Sequence, residues 1–196
     1  YVGISTFALM ANMSFFAEEL IWIWTGNTEL AAQASIYLPI ISISYTMLSL
    51  QIFPFNIAVA NGYTKLNNQL GVISLFVTLP GYWLATKYYG GIGAASVFCA
   101  VQTSTTLIYI YFIKKKFLKE IQLKTLYIKQ LLFPLLISIV IAYGFSLISM
   151  NILVGRIETL LWIGFSTIIT VLISSLILTP LKQLKQLVNF KILKKK

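Results

Sequence analysis

Six long apolar stretches joined by short polar links constrain this chain more than any other feature. They lie at about residues 2–24, 33–58, 67–86, 91–113, 130–149 and 158–179. A helix needs ~20 mostly apolar residues to cross the hydrocarbon of a bilayer, and each stretch is long enough to do so. The runs are continuously apolar rather than alternating, which argues against a β-barrel. Short links make sequence neighbours antiparallel. The expected fold is therefore an all-α integral membrane protein with six transmembrane helices.

Composition agrees. Hydrophobic residues make up 58% of the chain, charged residues 10%, and mean hydropathy is +0.85. A soluble domain carries roughly 25% charged residues, so this chain lacks the charge to cover a globule in water. The single Cys99 excludes an intrachain disulfide and reads as a small packing residue. The chain opens on Tyr1, already inside an apolar run, with no secretory signal peptide and no start Met. A fragment of a longer protein is expected.

The net charge of +10 raises nucleic acid as a partner until the charges are placed. Lys114, Lys115, Lys116, Lys119, Lys124 and Lys129 form one block, and Lys182, Lys185, Lys191, Lys194, Lys195 and Lys196 form another. No aromatic stacking platform accompanies them, so nucleic-acid binding is not expected. Basic blocks beside apolar spans act as topology signals instead. Placing both blocks and Lys65 on the cytoplasmic side puts thirteen positive residues inside and leaves only Lys87 and Arg156 outside. The loops at Thr25–Glu29, Lys87–Gly91 and Asn151–Glu158 then face outward. Trp22, Trp24, Tyr82, Trp83, Tyr88, Tyr89, Tyr109 and Tyr111 fall near span ends, where aromatic rings with a polar tip prefer the headgroup level.

The expected organisation is four transmembrane helices over 1–113, a basic cytoplasmic loop at 114–129, two further transmembrane helices over 130–179 and a basic cytoplasmic tail at 180–196. The loop and tail interleave lysines with Leu, Ile and Phe. Both are expected to lie on anionic inner-leaflet lipids, each lysine worth ~1 kcal/mol near that surface.

Enzyme chemistry finds little material. The chain has no Asp and no His, and only five Glu: Glu18, Glu19, Glu29, Glu120 and Glu158. No metal cluster, His-based triad or cofactor site can be assembled from these. A transporter requires only a cavity and two conformations. Glu18 and Glu19 lie near the end of the first span. Either one of them faces a water-filled path and couples cations, or both snorkel to headgroup depth. Gln51 and Asn56 share the second span with Pro39 and Pro54. They line a polar path in a bent helix or act as packing glue between helices. "YYGGIGAAS" (88–96) is a tight turn followed by a close-packing face, since a dinucleotide motif needs a preceding strand.

The order of four features resembles the polysaccharide-exporter, O-antigen-type branch of the multidrug/oligosaccharidyl-lipid/polysaccharide flippase superfamily. One is the short loop with Thr25, Gly26 and Glu29, followed by Ala31 and Ala34. The turn Ala60, Gly62, Thr64 and Lys65 is a second, and Leu79–Pro80 a third. The fourth is Gly90 with Gly93, Ala94 and Ala95. The resemblance covers about residues 15–100. It implies a two-bundle, MATE-like fold in which 1–113 form part of the second bundle and 130–179 two appended C-terminal helices. It also implies a bacterial cytoplasmic membrane, with the C-terminus inside. The implied substrate is an undecaprenyl-pyrophosphate-linked oligosaccharide repeat unit. The implied partners are the N-terminal bundle of the same protein and a polysaccharide polymerase or glycosyltransferases.

Alternatives from the same reading are a cation-coupled multidrug exporter, a membrane polymerase or acyltransferase, and a non-catalytic assembly partner of glycosyltransferases. The outer loops are too short to hold the machinery of an enzyme. "ANGYTKLNNQLG" (60–71) is the one polar interruption between two long apolar runs. Gly62 is expected to end a helix, with Asn61 capping it or taking a left-handed conformation. Asn61, Lys65 and Asn68 are then either part of an inner gate contacting an entering headgroup or a plain polar hairpin.

Overall fold

The computed structural model describes residues 2–119, 122, 124–149 and 155–178. The tail expected at 180–196 lies outside the described residues. These residues are helical, with no strand among them.

The helices are α1 (Val2–Phe15), α2 (Ala17–Thr25), α3 (Thr28–Ala34), α4 (Tyr37–Ala60), α5 (Lys65–Phe117), α6 (Phe133–Ser149) and α7 (Arg156–Leu178). A π-helical segment, Thr125–Leu132, leads into α6. Four helical stretches are long and apolar enough to cross a membrane: Tyr37–Ala60, Lys65–Phe117, Leu126–Ile148 and Arg156–Leu178. That is the signature of a membrane-spanning protein.

The first apolar stretch is not one regular helix. It bends at Phe16, whose backbone (φ −107°, ψ 30°) leaves the helical region. The hydrogen-bond ladder nevertheless continues across the bend, Phe16 N donating to Asn12 O at 2.9 Å and Leu20 N to Phe16 O at 2.9 Å. The second stretch is preceded by the short helix α3. Gly26 ends α2 with φ 72°, and its N–H donates to Trp22 O. Asn27 then caps α3 by accepting from Leu30 N at 3.1 Å. Glu29 sits in the first turn of α3, where a carboxylate complements the helix dipole.

α5 is far longer than a bilayer needs, and it does not run straight. Gly90 adopts φ 60°, ψ −142°, a conformation open in practice only to glycine. The chain reverses there. A Cβ built on Gly81 would lie 3.0 Å from Val97 Cγ1, although 16 residues of straight helix would separate these positions by about 24 Å. Farther from the turn, Tyr109 Oη donates to Asn67 Oδ1 at 2.9 Å. Gly93 lies against the carbonyl of Ala85, so close that any side chain there would collide with it. α5 is thus a hairpin of two antiparallel arms, 65–89 and 91–117.

α1 is the hub of the packing: it touches α4, α6 and α7, while α4 packs on the α5 hairpin. One core cluster joins Phe7, Met10, Ala11, Leu50 and Ala142, linking α1, α4 and α6. A second, of Ala58, Leu66, Tyr109 and Ile113, closes the lysine-rich end of the α4–α5 unit. Most apolar side chains are not in either cluster. The first arm of α5 exposes Phe76 (73%), Trp83 (67%) and Leu79 (61%). Surface of this kind has a large cost in water and none in lipid, where packing, small residues and interhelical hydrogen bonds hold helices together.

Candidate functional site

Polar side chains inside such a bundle pair across helices, so the interhelical hydrogen bonds locate the interior. The first network centres on Asn12 of α1, buried with 1% exposure. Its Nδ2 donates to Ala8 O at 2.9 Å and to Thr170 Oγ1 at 3.4 Å. Its Oδ1 accepts from Ser166 Oγ at 2.6 Å. Thr170 in turn donates to Ser166 O at 2.7 Å. Thr159, Ile163, Ser166, Thr170 and Ser174 form the buried face of α7, at helical spacing along one side. Small hydroxyl residues allow α7 to approach its neighbours closely.

The second network joins α4 to the second arm of α5. Thr106, fully buried, donates to Met47 O at 3.0 Å and reaches Gln51 Oε1 at 3.3 Å. The third is the bond from Tyr109 to Asn67 across the hairpin. Tyr127 of the π-helical segment reaches the carbonyl of Leu107 at 2.8 Å.

The turn at 60–71 is built for closure. Asn61 follows α4, and its Nδ2 donates to Ile57 O at 2.7 Å, satisfying a last-turn carbonyl. Gly62, not Asn61, takes the left-handed conformation, with φ 66°. Tyr63 lies under the end of α5, with Lys116 Nζ 3.2 Å from its ring centroid and the Phe117 ring at 5.9 Å. Amides and aromatics here tie the start of the hairpin to its finish.

The residues singled out from the sequence do not come together in one place. Glu18 is exposed and Glu19 half-buried, both in the first turn of α2. Gln51 is half-buried and bonded to Thr106. Asn56 is exposed near the far end of α4. Asn61, Lys65 and Asn68 are exposed around the α4–α5 turn. Glu18 and Glu19 therefore lie at the opposite end of the molecule from the Asn61–Asn68 group.

Sequence reasoning did not single out Asn12, Ser166, Thr170 or Thr106, and it placed Asn67 only among the amides of the 60–71 turn. The signal was present for α7, whose hydroxyls recur at helical spacing. Asn12 gave none beyond being a lone amide in an apolar run.

Two further features complete the geometry. At the Gly26 end, the Arg156 guanidinium of α7 packs against Gly26 and lies 5.7 Å from the Trp22 ring centroid. A cation there complements the C-terminal end of the α2 dipole. At the lysine-rich end, a groove of about 540 Å³ opens between α1, α4, the second arm of α5 and the π-helical segment. Ile4, Leu50, Phe53, Ile57, Ile113 and Leu131 make its walls, and among the described residues Lys129 is the one charged residue lining it. Among the described residues no three His, Cys, Asp or Glu side chains could together hold a metal ion.

No protein family, curated protein or solved structure matches the chain.

Proposed function

We propose that this chain is the C-terminal part of a flippase that moves undecaprenyl-pyrophosphate-linked oligosaccharide repeat units across the bacterial cytoplasmic membrane for surface polysaccharide assembly. The observation that carries the reading is where the resembling motifs fall. Thr25–Glu29 joins α2 to α3, Ala60–Lys65 joins α4 to α5, and Gly90 reverses the α5 hairpin. Motifs that resemble the family's turns occupy chain reversals in an all-helical, apolar protein. A bundle bonded through hydroxyls and amides also suits a transporter, whose work is to change shape around a cargo.

In this reading the chain crosses the bilayer six times: α1 with α2, α4, each arm of α5, the π-helical segment with α6, and α7. The Lys65 turn and the segment from Lys114 to Lys129 face the cytoplasm, as does the tail. The N-terminal bundle completes the transport path.

Disrupting the gene tests the proposal. The expected outcome is loss of surface polysaccharide with build-up of radiolabelled lipid-linked repeat units on the cytoplasmic side. Normal surface glycan with no build-up would overturn it.

A further inference from the structure

We infer that the groove at the lysine-rich end is a binding site for an anionic glycerophospholipid, one acyl chain in the groove and its phosphate on Lys129. Three observations carry this. The apolar walls draw on α1, α4, α5, the π-helical segment, α6 and α7, with a volume of about 540 Å³, within the ~300–1,000 Å³ range of ligand sites. A cation stands at their edge: exposed Lys129 lines the groove beside Leu126, Leu131 and Pro134. The described carboxylates cannot neutralise it. Glu18, Glu19, Glu29 and Glu158 all lie on α2, α3 or the first turn of α7, at the other end of the molecule. The third is local backbone. Lys129 and Gln130 belong to the π-helical segment Thr125–Leu132, a rare backbone form that recurs at functional sites.

Charge complementarity selects the occupant. Lys114, Lys115 and Lys116 end α5 next to Leu118, which also lines the groove. A basic pocket between transmembrane helices is suited to an acidic headgroup. A zwitterionic lipid would fill the walls equally well and leave Lys129 without a net counter-charge. This site is independent of the flippase reading and stands or falls separately from it.

Native mass spectrometry of the detergent-purified chain tests the site. Dioleoyl phosphatidylglycerol is titrated against dioleoyl phosphatidylcholine, which has the same chains. The anionic lipid should give a one-lipid adduct retained about fivefold better, the worth of one lysine beside an anionic headgroup. Lys129→Gln should erase that preference and Lys129→Arg should keep it. Lys115→Gln, at an exposed lysine outside the lining, should leave it unchanged. Ile57→Trp should lower binding of both lipids by filling the groove. Circular dichroism and size exclusion check that each variant is folded.

Equal retention of the two lipids would overturn the proposal. So would an equal loss from Lys115→Gln and Lys129→Gln, which would mean diffuse surface charge. Displacement of phosphatidylglycerol by equimolar undecaprenyl phosphate would also overturn it, and would make the groove part of a path for carried lipid.

Discussion

Single residues decide two features of this protein. Gly90 holds φ 60° and ψ −142° at the hairpin turn, with nothing within 4 Å of a built Cβ. An alanine there meets no neighbour, so its cost is conformational alone, about 1–3 kcal/mol. Gly144 also has open space but lies within α6. Gly144→Ala should be neutral or stabilising by up to ~1 kcal/mol, because alanine is the better helix former. Unfolding followed by circular dichroism in detergent should place Gly90→Ala below the parent and Gly144→Ala at or above it. The reverse order would mean that the turn is not at Gly90.

Asn12 is the other residue-scale anchor. Truncation to Ala removes both its bonds to α7 and leaves the Ser166 hydroxyl without its acceptor. Interhelical hydrogen bonds in membrane proteins are worth about 0.6 kcal/mol on average and up to ~1.7. The bond at 2.6 Å should lie toward the upper part of that range. A double-mutant cycle of Asn12→Ala and Ser166→Ala should return a favourable coupling of that size, and zero coupling would exclude the network.

The α5 hairpin is the test at the scale of the element. Its two arms make Gly81 and Val97 neighbours, whereas a continuous helix would hold them about 24 Å apart. Cysteines at both positions, with Cys99→Ala to remove the native thiol, should cross-link under mild oxidation. A disulfide requires Cα atoms within ~7 Å, so thiols that remain fully alkylatable would refute the reversal. The sequence disclosed this element well. Lys87–Gly91 interrupts two apolar runs, and paired glycines mark a turn. It disclosed the bend at Phe16 and the π-helical segment Thr125–Leu132 poorly. Neither carries a glycine or an internal proline, the residues that mark a break in a helical run from sequence alone. The stretch 60–71 was legible as a turn and as amide-rich. That Tyr63 would lie under Lys116, or Asn67 meet Tyr109, depends on contacts 42 to 53 residues away in sequence. Periodicity does not report such distances.

The whole molecule is defined by broad exposed apolar helix surface and by lysines concentrated toward one end. Lys65 begins α5 and Lys114, Lys115 and Lys116 end it, so both termini of the hairpin are basic, while Gly90 and the aromatic residues Trp83, Tyr88 and Tyr89 mark its tip. Lysine resists translocation and aromatic rings accept either interface. The hairpin should therefore insert with its tip outward. In a Cys99→Ala background, Tyr89→Cys should react with a membrane-impermeant maleimide in intact cells. Lys115→Cys should react only after the membrane is permeabilised. Each site is exposed in the fold, so a difference in labelling reports the side of the membrane rather than burial. Labelling of Lys115→Cys from outside would invert the hairpin. An inverted hairpin would put the Lys65 turn on the far side too, and the inner-leaflet placement of the groove at Lys129 would fail with it.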